Sequence, residues 1–202
     1  MAIYNGIASS QPNLAEHKMN GASMRAAIRG SVVIFFIAVL SNSGHAQGPA
    51  ENKVPAQLKA PDGAKLILHA QGKGDQIYTC KKQDADYEWT LKAPEALLYD
   101  DNGRAIGKHF GGPAWRLDDG SQVTGKVLAR VDSPDSSAIP WLLLGAANHS
   151  GAGLMSSVAS IQRLNTKGGK PRTGGCDAAH DGEESRAGYT ADYYFYSAPA
   201  GR

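Results

Sequence analysis

Four residues near short loops combine flat rings with hydrogen-bonding groups: His109, Trp115, Asp119 and Trp141. His109 precedes a Gly-Gly-Pro interruption, and each tryptophan follows a proline within two residues. Apolar rings with a few polar edges are what a sugar or an aromatic ligand requires. We therefore predict a ligand site lined by these four residues. The structural alternative is that the tryptophans fill the core and that Asp-Asp-Gly forms a simple turn.

His109 and Asp119 also suggest a second chemistry, the acid/base hydrolysis of a polysaccharide or an ester. A glycosidase places paired carboxyl groups about 5–10 Å apart in a groove, and a sequence gives no such distance. The G-x-S-x-G elbow of a serine hydrolase does not occur in the sequence. The sequence thus favours binding over catalysis, leaves enzymatic activity open and identifies no catalytic residue.

Glycine pairs at residues 72–74 and 151–153 come close to the turn that binds a dinucleotide. That turn joins a strand to a helix and carries a third glycine. The first pair instead leads into a predicted strand, and the second has Ser156 in the third position. A dinucleotide-dependent dehydrogenase is therefore disfavoured, and no cofactor is predicted. No metal site is predicted either, because the spacings H-x-H and H-E-x-x-H are missing from the four histidines of this part, which are His69, His109, His149 and His180.

The chain has two cysteines, Cys80 and Cys176. In an oxidising compartment an isolated pair most often forms a disulfide. This bond would close a loop of roughly 96 residues and stabilise the fold by about 4 kcal/mol in the chain-entropy model. Two buried free thiols are the alternative.

Short apolar runs alternate with turn signals over residues 62–202 and predict an all-β domain. The clearest strand covers residues 121–132, where apolar and polar side chains alternate with a period of two. Asp-Asp-Asn-Gly at residues 100–103 is the strongest hairpin signal. In the aromatic segment at 189–196, alternation places Tyr189, Tyr193 and Phe195 on a core face and Tyr194 and Tyr196 on the opposite one. About nine such strands predict an antiparallel β-sandwich or barrel with long loops.

The N-terminal region has the three-part pattern of a secretory signal. Arg25 and Arg29 precede the apolar run at residues 32–40, and Gly-His-Ala follows, which predicts cleavage after Ala46. This run is too short to cross a bilayer, which takes about 20 residues. We therefore predict an extension and cleaved signal at 1–46, an extended entry segment at 47–61 and a single β-rich domain at 62–202. The true start is open among the three methionines Met1, Met19 and Met24.

The predicted mature part is electrically balanced. The chain carries 21 Lys and Arg against 19 Asp and Glu, and residues 47–202 carry 18 of each. A neutral domain without a basic cluster lacks the electrostatic footprint of a nucleic-acid binder. Nucleic acid is therefore not a predicted partner, and the mature protein is predicted to have no membrane span.

The combination of five segments resembles a family of secreted bacterial and fungal proteins catalogued as domain of unknown function 3455. The likeness runs from about residue 54 to residue 197 and is carried by residues 109–127, 139–146, 153–169, 171–176 and 189–196. The resemblance implies an export signal and a β-rich fold. It implies no activity, and it transfers no site residue.

Three functions follow in order of preference. The first is an exported, periplasmic or extracellular β-protein that binds a glycan, a small molecule or an envelope protein without catalysing a reaction. The second is a secreted hydrolase acting on polysaccharide or ester substrates. The third is a structural or stress-related surface protein with no small-molecule site, which a closed surface without a pocket would favour.

Overall fold

The computed structural model describes residues 48–50 and 53–199, and its regular structure is almost entirely β. Two single 3-10 turns, at Ala56–Leu58 and Leu154–Ser157, accompany the strands. Among the described residues no helix is long and apolar enough to cross a membrane. Eight strands follow one another along the chain: β1 (Lys65–Gln83), β2 (Asp86–Tyr99), β3 (Ala105–Phe110), β4 (Ala114–Leu117), β5 (Gln122–Val131), β6 (Trp141–Ser150), β7 (Val158–Gly168) and β8 (Glu184–Ser197).

The eight strands form one closed antiparallel barrel. Each strand pairs with the next along the chain, and β8 returns to pair with β1. The long β1 pairs with β2 over residues 71–83 and with β8 over residues 65–79, so both of its edges are occupied for much of its length. Closing a sheet in this way removes the free edges that an open sheet exposes.

The barrel interior is filled by side chains that alternation turns inwards. Trp115, Tyr193 and Phe195 are almost fully buried and form the centre of the main core cluster. Gly72 on β1 makes room for this block, because a Cβ atom at that position would lie 2.5 Å from the Tyr193 ring. The predicted inward face of β8 is thereby confirmed. Residues 72–74 lie inside a strand, where glycine permits close packing.

The opposite face of β8 is also buried, because the entry segment covers it. Leu58 is fully buried against Tyr194 and Tyr196, in a second cluster outside the barrel. The Gln162 side chain fixes this contact: its Nε2 donates to the Leu58 carbonyl at 2.6 Å, and its Oε1 accepts from the Tyr196 hydroxyl at 2.8 Å. The predicted entry segment therefore packs against the barrel as part of the fold.

The barrel has two unlike ends. We call the closed end the one formed by the turns at residues 100–104 and 118–121 and the loop at 151–157. Met155 from that loop is fully buried beneath it. We call the open end the one formed by the turn at 111–113 and the longer loops at 132–140 and 169–183.

The predicted all-β antiparallel fold is confirmed as a barrel, but the strand count is eight instead of nine. Apolar runs at residues 66–68 and 76–81 lie within one strand, β1, and runs at 87–91 and 96–99 lie within β2. The small and polar residues between these runs continue each strand because backbone pairing with the neighbours holds them extended.

The predicted disulfide is present. Cys80 on β1 is bonded to Cys176 in the loop between β7 and β8, across 96 residues of sequence. It ties the longest loop of the open end to the hairpin formed by β1 and β2.

Replacing Cys80 and Cys176 together by serine is expected to lower the free energy of unfolding by about 4 kcal/mol, because the unfolded chain regains the entropy of a long open loop. Urea unfolding of both proteins measures the difference. A reductant should destabilise the wild type and leave the double variant unchanged. A double variant as stable as the wild type would refute this role for the bond.

Candidate functional site

The structure brings two of the four predicted site residues together, His109 and Trp115. They are partners across the ladder between β3 and β4, and their rings stack with centroids 4.5 Å apart. Tyr193 packs against both rings in edge-on geometry. Both predicted residues are at most 2% exposed. They form the floor of the cavity at the open end of the barrel.

His109 is held in one neutral state. Burial lowers the pKa of His109 to about 3, and the nearby Arg163 guanidinium acts in the same direction. Its Nδ1 lies 2.8 Å from the Ala114 carbonyl. A carbonyl only accepts, so Nδ1 carries the proton and Nε2 carries a lone pair. The ring can therefore accept a hydrogen bond but does not act as an acid near neutral pH.

Asp119 lies at the closed end, in the turn between β4 and β5. Its carboxylate accepts hydrogen bonds from the backbone and hydroxyl of Ser121 at 2.8 and 2.6 Å and from the backbone of Leu154 at 3.0 Å. These bonds lower the pKa of Asp119, the Ser121 hydroxyl contributing most. Ser121 in turn accepts from the Met155 amide at 3.1 Å. The geometry indicates that Asp119 fastens the loop that closes this end.

Trp141 lies on the outer face of the barrel. It is 9% exposed and packs in the outer cluster with Leu58 and Tyr194. The next residue, Leu142, faces the other side of the sheet and lines the open end. The sheet itself therefore separates the Trp141 side chain from His109 and Trp115.

A cavity of about 560 Å³ occupies the open end. Its walls are mainly apolar, and its floor contains His109 and Trp115. The volume lies within the range of small-molecule sites, about 300–1,000 Å³. The lining comes from β1 to β7 and the loops between them: Gln76, Tyr78, Leu91, Lys92, Ala93, Pro94, His109, Gly111, Gly112, Pro113, Trp115, Val127, Arg130, Ile139, Pro140, Leu142, Leu144 and Arg163.

Two buried donors of this lining have nothing to donate to within the described part of the chain: Trp115 Nε1 and Gln76 Nε2. Gln76 is 2% exposed. Burial raises the pKa of Tyr189, and the nearby Gln76 amide opposes this rise. The two side chains are close, but the geometry does not form a hydrogen bond between them. Unpaired buried donors are uncommon in folded proteins, where most such groups find a partner. Three further buried atoms without a partner, His69 Nε2, Trp141 Nε1 and Ser160 Oγ, belong to residues outside this lining. The two donors therefore add polar groups to the floor of the cavity but do not by themselves identify a ligand.

Arg163 adds a charge to the same cavity. It lies on β7 opposite Tyr193, and its Nε and Nη2 donate to the Pro140 carbonyl at 3.2 and 2.8 Å. Burial raises the pKa of Tyr193, and this guanidinium opposes the rise. Neighbouring residues Gln162 and Leu164 face the outer cluster instead. Arg163 therefore projects into the barrel.

The sequence did not identify Gln76 or Arg163. Arg163 occupies an inward position between two outward residues of β7, a signal visible only once the strand and its faces are known. Gln76 lies in a polar stretch of β1 that resembles any solvated strand, and only the structure shows that its side chain is buried.

A second depression, of about 440 Å³, lies beside β1, β2 and β3. Its four cations, Lys73, Lys108, Arg116 and Arg186, are all exposed, and Arg186 is paired with Glu95 at 2.7 Å and Asp75 at 3.4 Å. Exposed surface charges are solvated and do not call for a ligand. We therefore take the cavity of the open end as the candidate site.

The other three histidines of the described residues are scattered over the barrel, each with its own partner. His69 contacts Asp101, His149 contacts the Val158 carbonyl, and His180 contacts Asp177. Within the described residues no group of three or more His, Cys, Asp or Glu side chains is arranged to hold a metal ion.

Burial of a neutral His109 is expected to make acid destabilise the protein. The unfolded chain takes up this proton below pH 6.5 and the folded chain only near pH 3, so stability falls across that window as pH decreases. From pH 6 to pH 5 the wild type should lose about 1 kcal/mol more than His109→Asn, whose amide preserves a donor. Urea unfolding at both pH values tests this, and parallel losses would contradict it.

The structural role of Asp119 predicts that Asp119→Ala lowers the free energy of unfolding by about 1 kcal/mol without weakening ligand binding in the distant cavity. Asp118→Ala is the matched control, since no hydrogen bond to its side chain appears among the described contacts. Thermal unfolding and ligand titration are measured on both. Loss of binding in Asp119→Ala alone, with stability intact, would return Asp119 to the ligand site.

Comparison with known proteins supplies a family. Searches of curated proteins and of solved structures give no significant match to the chain. The sequence model of the family described as "Protein of unknown function (DUF3455)" matches residues 61–197, from just before β1 to the last residue of β8. The match spans the whole barrel and most of the chain, and it confirms the resemblance carried by the five sequence segments. The chain belongs to the DUF3455 family.

Proposed function

We propose that this protein is an exported binding protein that takes a small molecule into the open end of its barrel. The observation that carries the proposal is the cavity of about 560 Å³ at the open end, whose mainly apolar lining also contains the half-buried cation Arg163. A concave apolar site with a few polar groups is the usual form of a small-molecule site.

The cavity walls support a ligand with a substantial apolar part. Leu142 and Leu144 line the inner wall, while Leu91 and Val127 are 52% and 47% exposed at the rim. Half-exposed apolar side chains around a cavity offer surface that a ligand removes from water, at about 25 cal/mol per Å². Eight-stranded barrels have an interior wide enough to hold one small ligand.

Export is part of the proposal and is supported by the disulfide. A bond between Cys80 and Cys176 persists in the periplasm or outside the cell and is rare in the cytosol. The predicted signal peptide at residues 1–46 agrees with it but lies outside the described residues. N-terminal sequencing of the protein recovered from its host tests the predicted cleavage after Ala46.

The other two functions gain less support from the geometry. A hydrolase using Asp119 and His109 would need them to act on one substrate, but no hydrogen bond or ion pair joins them in the described contacts, and His109 is not an acid at neutral pH. A purely structural surface protein was expected to lack a pocket. The cavity of the open end favours the binding function instead.

Blocking the rim is expected to abolish binding. The neutral fluorescent probe N-phenyl-1-naphthylamine should bind the wild type at one saturable site, and Val127→Trp should weaken it at least tenfold because the indole fills the entrance. Leu128→Trp is the matched control, since Leu128 is exposed on the same strand but does not line the cavity; it should stay within twofold. Equal effects of the two variants, or no saturable binding, would defeat the proposal.

A further inference from the structure

We infer that the ligand of the open end is a carboxylate with an apolar body, and that Arg163 binds its carboxylate group. The inference rests on the proposed function, because it names the ligand class for the same cavity. It depends on three features: the charges of the lining, the hydrogen bonds of Arg163 and the apolar wall of the cavity.

The lining carries positive charge and no compensating acid. Lys92, Arg130 and Arg163 are among its residues, and no Asp or Glu is, as far as the described residues go. Lys92 is neutralised by Glu184 at 2.5 Å, and Arg130 is exposed at the rim. Arg163 is therefore the one lining cation that is both partly buried and free of an acidic partner in residues 48–50 and 53–199.

Arg163 is oriented for an anion. A guanidinium has five N–H donors in a fixed fork, and the Pro140 carbonyl accepts from only two nitrogens, Nε and Nη2. The contact with Pro140 anchors the group to the loop at 132–140, and the Tyr193 hydroxyl lies near the same guanidinium. Neither neighbour carries a negative charge. A charge taken partly out of water without a counter-ion is unfavourable, and a planar carboxylate matches the fork.

The other free groups near Arg163 are of the same kind. Trp115 Nε1 is a donor only, and the free atom of Gln76 is its donor nitrogen. Because His109 is neutral, the deep part of the cavity contributes a single positive charge, which suits one carboxylate. The apolar wall from Leu142 to the rim then contacts the rest of the molecule.

The test compares carboxylates with their uncharged primary amides by isothermal titration calorimetry on the oxidised full chain. The pairs are 2-naphthoate with 2-naphthamide and octanoate with octanamide, which differ in charge but hardly in shape. We expect each carboxylate to bind at least tenfold more tightly than its amide. Arg163→Gln should remove this preference, and Arg163→Lys should restore part of it.

A second variant guards against misfolding of the Arg163 substitutions. Gln76→Glu places a carboxylate inside the cavity and should weaken binding of the two carboxylates at least tenfold. Gln76→Met, of similar size and uncharged, should weaken them less than Gln76→Glu does. An equal effect of both variants would count against an anionic ligand.

The outcomes separate the two proposals. If carboxylates and amides bind equally well, or Arg163→Gln keeps the preference, the carboxylate inference is overturned. If none of the four compounds binds while the naphthylamine probe still binds in a manner that Val127→Trp blocks, only the carboxylate inference fails. If the probe fails as well, the proposed function fails with it.

Discussion

Pairing of β8 with β1 is the constraint on which the rest of the molecule depends. It closes the sheet, fixes the diameter of the barrel and brings the aromatic strand β8 against the glycines of β1. Because Gly72 has no side chain, the Tyr193 ring can occupy the centre of the barrel beside Trp115. The same aromatic block that fills the middle stops short of the open end. The pairing of β8 with β1 thus produces both the packed core and the cavity, and the core forms the floor of the cavity.

The site residues act against stability, as residues of a binding site commonly do. Arg163 brings an uncompensated charge into the barrel, Trp115 and Gln76 leave donors unpaired among the described residues, and burial keeps His109 neutral at acidic pH, where the unfolded chain would bind a proton. None of these features helps the barrel to fold. Their cost is carried by other parts: the outer cluster around Leu58, the fastened closed end and the disulfide. The uncompensated charge of Arg163 distinguishes the open end from these parts, whose unpaired buried atoms, such as Trp141 Nε1, are neutral.

The sequence predicts the fold class well and the site only in part. Alternation at residues 121–132 and the turn at 100–103 specify an antiparallel sheet, and the cysteine pair specifies the disulfide. Trp115 and Trp141 are indistinguishable in sequence, since each follows a proline at the start of a strand. The Trp115 side chain points into the barrel, and the Trp141 side chain points out of it. The entry segment covers the outer face around Trp141, so that face is apolar although it lies outside the barrel. Where both faces of a strand are buried, the alternation of polar and apolar residues no longer shows which face points inwards. For this reason the sequence does not predict Arg163 on β7 as a site residue.

The hairpin of β1 and β2 connects the disulfide to the candidate site. The loop at 169–183 is attached to this hairpin by the disulfide and by Trp89, whose Nε1 donates to the Gly174 carbonyl at 2.9 Å and whose ring lies under Arg172. Nearer the cavity, the Tyr78 hydroxyl donates to the Gly169 carbonyl at 2.6 Å.

A loop fixed in this manner has lost its conformational entropy during folding. It therefore does not have to be ordered when a ligand binds, and such preorganisation increases affinity. For an exported protein the oxidising compartment that forms the disulfide would also fix the loop that holds the Tyr78 hydroxyl, and Tyr78 belongs to the cavity lining. Reduction would then free this loop before it unfolds the barrel, because the loop is tied by the bond while the strands are tied by their own ladders.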